Sequence, residues 1–163
     1  MRSVEANRIV SAKQPSRAHF PETEPSGAAA GAAPTDLANR LRQLCVAWSA
    51  QTGLDCRMLV RPEHTRFEAP VADVLYHAVR ELLALMRRQV DTGFQVSSEV
   101  RADGALALSV TGDGASLADS LDHDRVHLWG IDKRLREIGA YLEIVADPAC
   151  ASVVLPGQQV LVR

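Results

Sequence analysis

Aromatic side chains make up only 4% of the 163 residues, so any core must be built from aliphatic ones. The three cysteines, Cys45, Cys56 and Cys150, lie far apart without a Cys-x-x-Cys pair, which suggests neither a disulfide framework nor a zinc knuckle. No apolar run approaches the roughly 18 residues a membrane span needs. The N-terminus has no apolar stretch of the secretory kind either. No charge sign dominates: the formal net charge is −2, so there is no overall pull toward nucleic acid or an anionic membrane surface. A reduced, cytoplasmic, soluble protein is expected, with no nucleic-acid partner and no membrane segment. What is present suits a folded domain, because 47% of residues are apolar and 23% charged.

The first 35 residues have a different composition from the rest. They hold four of the eight prolines and the run Gly27-Ala28-Ala29-Ala30-Gly31-Ala32-Ala33-Pro34. Such a segment has little apolar surface to offset its ordering entropy, so residues 1–35 read as a disordered Ala/Pro/Ser-rich leader and residues 36–163 as the domain.

Periodicity over the domain predicts its elements. Thr35-Asp36 can cap a helix whose apolar face is Leu37, Leu41, Leu44, Cys45 and Trp48, ended by Gly53. A short strand follows over residues 54–60. Pro70 opens a long amphipathic helix through Val71, Val74, Leu75, Ala78, Val79, Leu82, Leu85 and Met86, which closes near Val90. Phe94, Val96, Ser98 and Val100 share one face of a strand. Ala102-Asp103-Gly104 makes the hairpin turn into a second strand over residues 105–110. A polar loop of 16 residues over 111–126 is expected, then a helix over 128–138 and strands over 141–145, 151–155 and 159–162. The order predicts an α+β two-layer sandwich, a mixed β-sheet with helices on one face.

Three segments carry chemistry when taken together. Val74 to Leu83, with Glu81, resembles the helix bearing the first ATP-site box of histidine-kinase catalytic domains. Thr111-Gly112-Asp113-Gly114 follows a hydrophobic strand, as that family's adenine box does. Leu128-Trp129-Gly130-Ile131-Asp132-Lys133-Arg134-Leu135 and Gly139-Ala140-Tyr141-Leu142-Glu143-Ile144 are similar to its last glycine motif. The resemblance covers roughly residues 37–163 and is to the Bergerat-fold ATPases, which include sensor histidine kinases, gyrase-type ATPases and anti-sigma kinases. Short sensor-kinase catalytic domains are the nearest in pattern. It implies Glu81 as the catalytic position, with Asp113, Gly114, Gly130, Arg88 and Arg134 as the nucleotide-binding ones.

The departures from that pattern matter equally. The resemblance implies an Asn four residues after Glu81 to hold Mg²⁺, and Leu85 stands there. A leucine offers no oxygen to a hard cation. The next basic position is Gln89, although Arg88 could reach a phosphate. The adenine-accepting Asp is replaced by Gly112, a following Gly by Ser116, and the first Gly of the last motif by His127. Sliding Asp113 into the adenine role fails, because Ala115 and Leu117 would then fill the two Gly positions. ATP is therefore expected to bind weakly or not at all, without Mg²⁺.

The histidines add no second chemistry. None of His19, His64, His77, His123 and His127 lies on the first helix, where a phosphoacceptor would be sought, and His77 reads as a structural or exposed position. The pair His123 and His127, with Asp119 or Asp122, has a spacing that could hold zinc, but it reads as part of a solvated loop, and no metal site is expected. Arg87-Arg88 and Lys133-Arg134-Arg136 read as solvated helix faces. The expectation is a signalling or regulatory module acting through a protein partner such as a kinase, response regulator or sigma-type factor. The alternatives are an active catalytic domain of a sensor histidine kinase or anti-sigma-type serine kinase, or an unrelated α+β ligand-binding domain.

Overall fold

The first helix forms where its apolar stripe predicts. In the computed structural model, which describes residues 35–114, 124–145 and 149–157, helix α1 is Leu37–Thr52. The Asp36 carboxylate accepts from the Asn39 N–H at 3.1 Å, satisfying one donor that the helix start would otherwise leave open. Gly53 ends the helix in the left-handed conformation (φ 73°), and its N–H donates to the Ser49 carbonyl. Leu37, Leu41, Leu44, Cys45 and Trp48 are all buried. Just before α1, the two-residue strand β1 (Thr35–Asp36) pairs antiparallel with β3 (Arg66–Phe67). Between these lie strand β2 (Asp55–Leu59) and a 3-10 turn at Pro62–His64.

Helix α2 is Ala69–Met86, with Pro70 in its first turn, where a missing N–H costs nothing. Leu75, Val79, Leu82 and Leu83 are wholly buried. The helix stops at Met86 rather than near Val90, and a 3-10 turn at Arg87–Gln89 leads directly into strand β4 (Val90–Val100). Strand β5 is Leu106–Gly114. It continues through Thr111, Gly112, Asp113 and Gly114, which were expected to begin a polar loop. Those residues stay in the ladder because Gly112 and Thr111 pair with Phe94 and Gln95, Gly114 with Val90, and Thr111 with Cys150. Helix α3 (Arg125–Glu137) starts a turn earlier than its apolar pattern, the Leu128 N–H donating to the Asp124 carbonyl at 2.9 Å. Strands β6 (Tyr141–Val145) and β7 (Cys150–Leu155) are the last of the described residues to join the sheet. The leader and the strand expected over 159–162 lie outside the described residues.

The five strands are ordered β2-β4-β5-β7-β6, with β2 parallel to β4 and every other neighbouring pair antiparallel. This is the expected mixed sheet of an α+β sandwich. Among the described residues three helices line one face: α1 packs on β2, α2 on β5 and β7, and α3 on β6. Alternation then sorts the side chains. Phe94 and Val96, Leu108 and Val110, and Ala151 and Val153 face the helices and are buried. Between the helices, Arg40 of α1 pairs with Asp73 of α2 at 2.6 Å while its guanidinium lies over the Tyr76 ring. On the opposite face, Arg101 pairs with Glu143 at 2.6 Å, bridging from the end of β4 to β6 across the two strands between them. The Arg101 guanidinium holds the Glu143 carboxyl below its ordinary pKa. Among the described residues no helix is long and apolar enough to cross a membrane.

Candidate functional site

Helical spacing runs Asp73, His77, Glu81 and Leu85 along one side of α2. Asp73, Val74, His77 and Ala78 of α2, with Ile131, Arg134 and Leu135 of α3, line a cleft of about 120 Å³. Its floor is apolar, and its rim carries a carboxylate, an imidazole and a guanidinium. At its edge the Arg134 guanidinium forms an ion pair with Glu81, and the Arg134 Nε donates to the Gly130 carbonyl at 3.3 Å. Three of the six predicted site residues, Glu81, Arg134 and Gly130, are thus linked to one another between α2 and α3.

The other three lie at the far ends of β4 and β5. Asp113 faces away from the helices, and its carboxylate accepts from the backbone N–H groups of Gly93 at 2.9 Å and Thr92 at 3.1 Å, and from the Thr92 hydroxyl. These donors, Gly93 first, hold its pKa below the ordinary value. The carboxylate caps the irregular stretch of β4 where the register shifts between Val90 and Phe94. Gly93 belongs in that stretch because a Cβ there would collide with the Asp55 carbonyl of β2. Gly114 pairs with Val90 at the strand end, and Arg88 is exposed on the 3-10 turn just before it.

Gly112 is buried and faces the helices. A Cβ built on it lies 3.1 Å from one Val90 methyl carbon and 3.7 Å from the Met86 terminal methyl. Val90 and Met86 therefore stand where a side chain at 112 would point. Sequence reasoning passed over both, together with Thr92 and Gly93. The signal available was the short distance along the chain between the end of α2 and the start of β4, which puts Met86 and Val90 on either side of one 3-10 turn.

Gly130 lies in the second turn of α3, so its N–H is no longer among the open donors of the helix start. Those belong to the first turn, which His127 occupies as an exposed residue. His123, Asp119, Asp122, Ala115, Ser116 and Leu117 lie outside the described residues. No cluster of three or more His, Cys, Asp or Glu residues that could hold a metal occurs among the described residues. His64 bonds Ser98 Oγ at 3.2 Å, and His77 is exposed, its ring edge-on to Tyr76.

The same architecture occurs in solved histidine-kinase structures. The histidine kinase domain of the blue-light-activated kinase EL346 from Erythrobacter litoralis matches over 80% of this chain and 67% of its own, with a TM-score of 0.65 and 16% identity. The histidine kinase AdeS of Acinetobacter baumannii matches over 76% and 66%, with a TM-score of 0.61 and 12% identity. The catalytic domain of the histidine kinase ThkA matches over 76% and 94%, with a TM-score of 0.57 and 14% identity. Against a longer structure of the Erythrobacter kinase the match spans 47% of that chain. No family model and no curated protein matches the sequence. The chain has the histidine-kinase-type ATPase fold.

Proposed function

We propose that this domain is a regulatory module of signalling that retains the histidine-kinase ATPase fold without a working nucleotide site, and that it acts by binding a protein partner such as a kinase, response regulator or sigma-type factor. The observation that carries the reading is the surroundings of Gly112. The resemblance puts a carboxylate for the adenine amine at this position, and even a Cβ there crowds Val90 and touches Met86. A site without that acceptor recognises the base less well by about 1–3 kcal/mol.

Two further features support it. Leu85, one turn beyond Glu81, cannot ligate Mg²⁺, whose charge phosphoryl transfer relies on. Glu81 is engaged by the Arg134 guanidinium in an ion pair. The donor set around Glu81 does not fit a magnesium nucleotide. The competing reading of an active kinase domain rests on the resemblance, which keeps a glutamate at position 81 and a glycine at position 130. An ATP hydrolysis and autophosphorylation assay on the full chain discriminates the two. We expect no turnover above the protein-free rate at millimolar Mg-ATP; magnesium-dependent turnover abolished by Glu81→Gln would establish the active-kinase reading instead.

A further inference from the structure

The packing of α1 on β2 brings together two of the three cysteines that the sequence keeps apart. Cys45 is buried on the sheet-facing stripe of α1, one turn before Ser49. Cys56 is the second residue of β2 and points toward the helices, since its partner in β4 is the core residue Phe94, which meets Trp48 edge-on at 6.5 Å. The Cys56 N–H donates to Ser49 Oγ at 3.0 Å, which fastens this end of β2 to the last turns of α1. The two thiols meet in this seam closely enough to interact, and that interaction together with burial pushes the Cys56 thiol up. Cys56 is half-buried, so the pair has a route to solvent. Cys150 lies on the other face of the sheet, its sulfur beside the hydroxyls of Thr111 and Ser152.

We propose that Cys45 and Cys56 are a modification site, closed to a reversible disulfide by a small peroxide. With Cys56 holding its proton more tightly, Cys45 is the thiol that supplies the thiolate, the form that attacks. Its sulfur takes one oxygen of hydrogen peroxide, the O–O bond breaks, and the hydroxide released takes up the proton Cys45 has lost, leaving Cys45 as a sulfenic acid. The Cys56 sulfur then attacks the Cys45 sulfur. The S–S bond forms, the S–O bond breaks, and the leaving hydroxide departs as water with the Cys56 proton. In sum, two thiols are oxidised by two electrons and one peroxide is reduced to two waters. The product ties the edge strand β2 covalently to α1, adding to the Ser49 hydrogen bond, the packing of α1 and the β4 ladder that hold it. Because α1 is also joined to α2 through Arg40 and Asp73, the bond braces the helix that carries the candidate site.

The test treats the full, folded chain with hydrogen peroxide, blocks the remaining thiols with an alkylating agent, and maps peptides under non-reducing conditions. A peptide linking Cys45 to Cys56 is expected, reversed by dithiothreitol, with Cys150 still alkylated and the thermal midpoint raised above that of the reduced protein. Cys150→Ser should leave the link unchanged, whereas Cys56→Ser should give sulfenic acid on Cys45 and no internal link. The proposal is overturned if all three thiols remain alkylatable, if the links run through Cys150, or if Cys45 and Cys56 join only in urea.

Discussion

Replacing Gly112 by Asp puts back the carboxylate that the resemblance calls for, and the surroundings of this glycine set what it should cost. Gly112 is buried, and its N–H already donates to the Ala149 carbonyl at 3.0 Å. A Cβ alone meets a Val90 methyl carbon at 3.1 Å, so Val90 must give by a few tenths of an ångström. The carboxylate beyond it would enter space bounded by the Val90 and Met86 side chains, which offer no donor. Burying a polar group without a partner costs about 1–3 kcal/mol by mutational measure, and crowding adds to it. Gly112→Asp should therefore destabilise the domain by about 2–4 kcal/mol at neutral pH. Gly112→Ala should cost less.

Burial disfavours the charged form, so the folded-state pKa of the new carboxyl lies above its unfolded value. The folded state then holds its proton to higher pH than the unfolded state does. The variant's deficit is smallest below the unfolded pKa and grows as pH rises through the folded one. Val90→Ala should restore part of the loss, because the two sites touch and their effects are not additive. Urea midpoints of the four proteins at acid and neutral pH give the cycle. A neutral Gly112→Asp with no relief from Val90→Ala would refute the filled-space argument.

Leu82 is wholly buried on the sheet side of α2, and Leu82→Ala should cost about 2–5 kcal/mol in urea denaturation. The depressed Glu143 carboxyl makes its pair with Arg101 a source of stability that is fully present above the unfolded Glu pKa and lost as pH falls through the folded one. Glu143→Gln should flatten that acid limb, as read by thermal midpoints against pH. Asp113→Ala removes the acceptor for the Thr92 and Gly93 amides, and should speed hydrogen exchange there while leaving α1 protected.

Much of the helical layer was legible in the sequence. The stripes Leu37 to Trp48 and Leu75 to Met86 are core on both helices because a 3.6-residue period fixes which side chains share a face. The ends were harder. Thr111-Gly112-Asp113-Gly114 has the composition of a turn, and only pairing with β4 and β7 keeps it in strand, which no local pattern reveals. The first turn of α3, Arg125-Val126-His127, carries no buried residue and so gave no periodic signal. Of the candidate site, Glu81 was legible only through the resemblance of its helix. Its pairing with Arg134, the capping role of Asp113, and the approach of Val90 and Met86 to Gly112 are tertiary facts. The Cys45–Cys56 contact is another: eleven positions of separation say nothing until α1 and β2 pack.

Titration calorimetry of the unmutated full chain tests most directly whether the fold persists while the nucleotide site does not. The chain is titrated with Mg-ATP, with a non-hydrolysable analogue, and with ATP in the presence of a chelator. The account predicts no resolvable heat, or weak binding identical with and without Mg²⁺, and a gain in affinity when Leu85→Asn and Gly112→Asp are combined with Val90→Ala to make room. Low-micromolar binding to the unmutated chain that disappears with the chelator would contradict it.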